Sequence, residues 1–232
     1  MHIHIVSIFP DIFASFLQTS LIAKAQTKEL LTFSLINPRD FSQDKHQQID
    51  DTVYGGGAGM LIKAKPIIDA VESIIKPLDS GSGPEGQTSS RAIVFPSPSK
   101  TVFTQKHAHV FAKYDHLIFV CGRYEGIDAR WEQYFMDKYP EQFFKLSLGQ
   151  FITLGGETPS MVMVEAISRL IPGVIKESGS REEESYSIKD GGANIEAPNY
   201  TKPETVQGYS VPEVLLSGDQ KKIEEWRKNQ MS

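Results

Sequence analysis

The chain has 232 residues, 40% of them hydrophobic and 23% charged, with a formal charge of −5. This composition suits one large domain, or a domain with a small annex, and argues against non-specific coating of nucleic acid while leaving a local basic face open. One cysteine, Cys121, excludes an internal disulfide, and no run of about 18 apolar residues could span a membrane. The start, MHIHIVSIFPDIF, carries no Lys or Arg before its apolar residues. It is therefore a poor secretion signal, and a cytoplasmic protein is expected.

In chain order, residues 2–9 alternate and then run apolar, as a strand entering a core does. Pro10 and Asp11 open a helical pattern with Ile12, Phe13, Phe16, Leu17 and Leu21 on one stripe. A second strand is expected at 30–36, and a helix from Pro66 through Ile67, Ile68, Val71, Ile74 and Ile75 until Pro77. The run SGSGPEGQTSS (80–90) reads as a flexible surface insertion. Strand 91–95, helix 103–113, strand 116–122 and helix 127–139 follow, then FFKLSL and QFITL on either side of Gly149. The helix at 158–171 is apolar on nearly all sides and is expected to be buried.

Strands alternating with helices imply an α/β fold, a parallel sheet with helices on both faces, and ligands at the carboxyl ends of the strands. Three of those ends stand out: FPSPSK, CGRYEG and LGGETP. From residue 176 the chain becomes polar and rich in Gly and Pro. Residues 176–191 are expected to be an acidic linker or lid, 1–175 a catalytic domain and 192–232 a small, mainly helical annex.

The stretch DDTVYGGGAGML holds four glycines in five positions, 55–59. Ordered glycine costs conformational entropy, so a cluster marks either an unusual turn or a close approach to a ligand. It ends Gly59-Met60-Leu61 and lacks the Lys-Ser/Thr of a Walker loop; what precedes it is polar, so the dinucleotide fingerprint fails too. The residues alone leave a surface turn and a ligand wall both open.

Together, VYGGGAGM, VCGRYEGID, LGGETP, RLIPGV and NYTKPE…VPEVLLSG…WR, in that order and spacing, resemble the bacterial tRNA (guanine-N1)-methyltransferases of the SPOUT class. The resemblance covers nearly the whole chain. It implies a deep C-terminal trefoil knot, which no periodicity could reveal. It further implies S-adenosylmethionine as cofactor, tRNA (the anticodon stem-loop) as substrate with guanine 37 as target, and a homodimer with active sites at the subunit interface. No membrane partner and no dedicated metal site are expected, although Mg2+ could take part without one.

By the same resemblance, Gly122 lets backbone approach the cofactor, and Glu125 lies near the target base. Leu148, Gly149, Gln150, Phe151, Ile152 and Thr153, with Gly155, wrap the adenine and ribose mainly through backbone groups. Asp50, Tyr54, Gly57 and Gly59 border the pocket for an extruded guanine, and Asp50 or Asp51 is suited to accept from its Watson–Crick edge. Substituting Gly57 or Gly59 should therefore block the base pocket and spare the cofactor pocket. Chemistry at N1 needs a base for its proton and a cation near O6. Arg169 matches the family's arginine, and the family's aspartate base aligns with Glu184, with Glu183 in reserve.

Three departures from the family pattern stand out. Gln150 stands where Asp is common. Glu184 adds a methylene at the base position, and a misplacement of about 1 Å can cost ~100-fold. The chain also stops at Ser232, before the further basic residues of its relatives, leaving KKIEEWRKNQ as the basic remnant. Two other readings compete. One is a tRNA-binding SPOUT protein with weak activity. The other is a 2′-O-methyltransferase, for which the YGGGAGM loop would have no purpose.

Overall fold

Alternation in HIHIV turns Ile3 and Ile5 to one side of strand β1 (His2–Val6) and Val6, with His2 and His4, to the other. In the computed structural model, which describes residues 1–80, 89–175, 184–187 and 194–231, this strand is second from one edge of the main sheet: it lies between β2 (Thr32–Ile36) and β6 (His116–Val120). With β5 (Arg91–Pro96) and β7 (Phe143–Leu146) they form one sheet of order β2-β1-β6-β5-β7, every pairing parallel. A separate antiparallel hairpin consists of β3 (Asp50–Thr52) and β4 (Met60–Ile62).

Helices cover both faces. On one lie α1 (Ala14–Leu17), α2 (Ser20–Thr27), α4 (Gln105–Phe111) and α6 (Glu157–Ser168), which bring Ile22, Phe111, Met163 and Ile167 onto Ile3, Ile5, Val94 and Phe119. On the other, α3 (Ala64–Asp79) and α5 (Arg130–Lys138) bury Ile67, Val71, Ile75, Trp131 and Phe135 against Val6, Ile93, Ile118 and Val120. Each fully buried aliphatic side chain stabilises the fold by about 1.5–3 kcal/mol.

Four expectations change in detail. The helical stripe from Pro10 to Leu21 is not continuous. A 3-10 turn (Pro10–Phe13) precedes α1, and Ser20, the first residue of α2, adopts φ 55°. The break resets the helical phase, so Ile22 and Ala25 are buried while Leu21 and Ile12 are exposed. Helix α3 runs past Pro77 to Asp79, because Leu78 still packs on the same core and offsets the amide that proline removes. Residues 151–154 form no strand. Ser147 Oγ accepts from Gly149 N (3.1 Å) and donates to Gly149 O (2.8 Å), and with Gly149 at φ 151° this turns the chain out of the sheet. Helix α6 is buried on one side only, with Val162 and Glu165 exposed on the other.

The chain divides into two compact units, Met1–Lys176 and Glu177–Ser232. The second holds a hairpin of β8 (Thr205–Val206) and β9 (Tyr209–Ser210). Its turn, Gln207-Gly208, has φ of 49° and 85°, the left-handed pair that suits a two-residue hairpin. Two helices follow, α7 (Glu213–Leu216) and α8 (Gln220–Gln230); Asp219 caps α8 by accepting from Lys222 N, and Tyr200 packs 6.3 Å from Trp226. The expected insertion (largely 81–88) and most of the expected lid, Glu183 included, lie outside the described residues. No described helix is long and apolar enough to cross a membrane.

Trp131 is fully buried, with Phe95, Phe135 and Phe143 edge-on at centroid distances of 4.9, 5.8 and 5.6 Å. Trp131→Ala is expected to lose about 3–5 kcal/mol, read from the urea midpoint by circular dichroism. A loss under about 1 kcal/mol would show that this aromatic cluster does not hold α5 to the sheet.

Candidate active site

The strand order itself opens a crevice. The chain leaves β5 for β6 on one side and returns to pair β7 on the other, so the loops beyond these strands diverge above β5. There they enclose a cavity of about 260 Å³. Its walls come from the three strand ends marked in the sequence: Phe95 to Pro98 after β5, Gly122 to Gly126 after β6, and the 146–156 stretch after β7. Of the expected cofactor residues, Gly122, Leu148, Phe151, Ile152, Thr153 and Gly155 line it, as does Glu125. Gly149 and Gln150 belong to the same loop but do not face the cavity.

Two of these loops touch backbone to backbone. Gly156 N donates to Gly122 O at 2.9 Å, and Arg123 bridges Gly155 in antiparallel fashion. A Cβ on Gly156 would lie 2.8 Å from Cys121 Cα, closer than side chains approach. Only glycine permits this crossing. Beneath it, Glu157 is fully buried and accepts from Arg123 Nε (2.8 Å) and Ser7 Oγ (2.7 Å). Arg123 also donates to Leu154 O and lies 5.0 Å over the Phe9 ring. Burial, and then the Glu157 charge, push the Cys121 thiol well above its ordinary range, so it is an inert core residue. Glu157 and Ser7 were not singled out in the sequence; the Glu of LGGETP at the first position of an apolar helix was the available signal.

The glycine loop is tied to the same wall. Strand β4 runs beside 125–128: Glu125 N donates to Met60 O (3.0 Å), Ile62 N to Gly126 O (3.0 Å) and Asp128 N to Ile62 O (2.9 Å). All four glycines have positive φ, between 79° and 128°. Gly55, Gly56 and Gly57 face open space, whereas a Cβ on Gly59 would meet the Glu125 side chain, 2.7 Å from its Oε1. The two glycines expected to act alike thus differ in surroundings: Gly59 packs on Glu125, a residue that lines the crevice, and Gly57 does not.

Beyond the hairpin lies a second cleft of about 730 Å³, lined by Asp51, Tyr54, Lys63, Lys65, Asp128 and Arg130 among others. Tyr54 is 96% exposed, an uncovered ring at its rim. Each cation has a carboxylate: Lys63 with Asp51 (3.5 Å), Lys65 with Asp69 (2.7 Å) and Arg130 with Asp128 (2.5 Å). The Thr52 amide and then Lys63 hold the Asp51 carboxyl below its usual range. Asp51 faces this cleft; Asp50 lies beside it on β3 without lining it. Arg169 directly follows α6, half-buried. Glu184 belongs to the second unit, where its carbonyl accepts from Ser187 N at 3.1 Å.

The crevice suits a nucleoside-type ligand without phosphates. Phe95, Leu148 and Phe151 offer apolar surface for a flat ring, and glycine backbone offers amides and carbonyls. Arg123, the one cationic lining side chain among the described residues, is committed to Glu157, while Glu125 supplies a carboxylate compatible with a sulfonium. S-adenosylmethionine fits this donor set. Gly59→Val is expected to weaken its binding at least ~10-fold by displacing Glu125, whereas Gly57→Val should leave it within a few-fold; calorimetry distinguishes them. Equal affinities in the two variants would separate Glu125 from the cofactor wall.

Over residues 1–232 the chain matches the family model described as tRNA (Guanine-1)-methyltransferase TrmD. Among curated relatives, a tRNA (guanine-N(1)-)-methyltransferase of Metamycoplasma arthritidis is 44% identical over 228 residues, covering 98% of this chain and 89% of the relative. The protein so named from Carboxydothermus hydrogenoformans is 43% identical over 230 residues, 99% and 82% of the two chains. That of Bacillus subtilis is 39% identical over 227 residues, 98% and 86%. With its glycine-crossed crevice above a parallel sheet and a full-length match, this chain belongs to the tRNA (guanine-N1)-methyltransferase family.

Proposed function

We propose that the protein methylates N1 of guanine in tRNA, at nucleotide 37 beside the anticodon, with S-adenosylmethionine as donor. The observation that carries this reading is the shared wall. Glu125 lines the crevice above β5 and at the same time packs beneath Gly59 of the glycine loop. A cofactor in the crevice and a base under the loop would then meet at one carboxylate.

N1 of guanine carries a proton and is a poor nucleophile, so the protein must remove that proton and stabilise charge moving onto O6. Bound S-adenosylmethionine supplies an electrophilic methyl group. Glu184 serves as the base for the N1 proton and Arg169 faces O6, while Glu125 orients the base beside the crevice. Tyr54 and the glycine loop hold the extruded base, Tyr54 by stacking and the loop by backbone contact. Asp50 or Asp51 accepts from its Watson–Crick edge. The crevice wall of 148–155 binds adenine and ribose through main-chain groups. Gly149 and Gln150, which do not line it, shape the turn of that wall.

The close crossing of 155–156 over 121–122 supports threading of the chain into a knot at this point. Exposed apolar side chains around it, Ile152 (80%), Leu154 (88%) and Val162 (47%), support an isologous homodimer that covers them. In that dimer the lid of one subunit would serve the crevice of the other.

Glu184→Gln is expected to lower the single-turnover methylation rate of an anticodon stem-loop at least ~100-fold with little change in cofactor affinity. Normal turnover in Glu184→Gln together with a defect in Glu183→Gln would move the base by one residue. Mixing Arg169→Ala with Glu184→Gln subunits should restore activity in heterodimers. Light scattering that shows only monomer at micromolar protein would remove the shared-site arrangement.

A further inference from the structure

The sheet end opposite the crevice carries a cluster that no step of methyl transfer uses. His2 and His4 project from the same face of β1, and His116, the register partner of His2, begins β6 beside them. One ligand nitrogen from each of the three lies within 4.8 Å of the others. His4 Nε2 and His116 Nδ1 are 3.1 Å apart, and the His2 ring stacks on His4 at 3.9 Å. Ser34, opposite His4 on β2, lies 2.8 Å from His2 Nε2.

Three imidazoles in one half-buried patch are an unusual choice for a structural corner. His4 is only 8% exposed, and a single proton satisfies its contact with His116. Neutral imidazoles present lone pairs, and metals bind that form.

We infer that His2, His4 and His116 form a site for one transition-metal dication of the Zn2+, Ni2+ or Cu2+ type. Metal–nitrogen bonds of about 2.0–2.1 Å set tetrahedral nitrogens about 3.3 Å apart. The His4–His116 pair already stands at 3.1 Å, and the half-buried His2 at the strand start closes the remainder by side-chain rotation. Adjacent hydrogen-bonded strands hold two of the three ligands in fixed register. Imidazole donors select these ions and not Mg2+ or Ca2+, which take oxygen. The ion would staple β1 to β6 at the centre of the sheet. It would stabilise the folded chain by mass action, away from the methyl-transfer crevice at the carboxyl ends of the strands.

Zn2+ titrated into the full chain against a chromophoric chelator should bind tightly at one equivalent. His4→Gln and His116→Gln should each weaken that binding at least ~10-fold, His46→Gln should not, and millimolar Mg2+ should not compete. Co2+ with the unaltered protein should give the visible d–d bands of a nitrogen-ligated ion, a readout that does not depend on any variant folding. Stoichiometric Zn2+ binding that survives in a folded His4→Gln protein, or absence of both the Zn2+ equivalent and the Co2+ bands in the unaltered protein, would overturn the site.

Discussion

Everything around the crevice depends on one buried charge. Glu157 is completely removed from water at the start of α6 and is held by Arg123 from one loop and Ser7 from beyond β1. A buried carboxylate without such partners would cost several kcal/mol, so the pair is better understood as fixing geometry than as adding stability. It fixes three chain segments at once: the end of β1, the loop after β6 and the entry to α6. With Gly155 and Gly156 packed against Arg123 and Cys121, nothing larger fits at the crossing. The two loops that wall the crevice are therefore set relative to each other by an ion pair and two missing side chains.

The same crossing brings glycine backbone into the cavity wall, beside the side chains of Phe95, Leu148 and Phe151. Loops that cross at contact distance can carry no bulky side chain at the crossing itself. Gln150 belongs to this loop but its side chain does not line the crevice. The glycine loop answers the same constraint from the other side. Its four glycines have positive φ, and Gly59 makes room for Glu125, the side chain that joins the two regions.

The sheet has opposite characters at its two ends. At the carboxyl ends of β5, β6 and β7 the loops diverge into a crevice. At the amino ends of β1 and β6 the strands stay paired, and three histidines converge. Rigid strand register produces both outcomes. It brings residues distant in sequence, such as His4 and His116, to within hydrogen-bond reach without any loop to adjust them.

Much was legible in the sequence because it depends on local pattern. Alternation placed β1, apolar runs placed β5 and β6, and the spacing of Ile67, Val71, Ile74 and Ile75 placed α3. The three strand-end motifs pointed to one side of a parallel sheet, where they do line a single cavity. The histidine cluster was not singled out in the sequence, because His116 joins His2 and His4 only through the pairing of β1 with β6. Tertiary structure alone decided the rest, because it depends on contacts between distant residues. The helical phase slipped at Ser20, where a positive φ interrupts an otherwise regular stripe. Leu78 carried α3 past a proline through packing that propensity does not see. The Ser7–Glu157–Arg123 link spans 150 residues between its first two members. Gly59 acquired its meaning from Glu125, which the strand pairing of β4 with 125–128 brings beneath it. Local periodicity specifies which face a residue takes; only the folded chain specifies what it meets there.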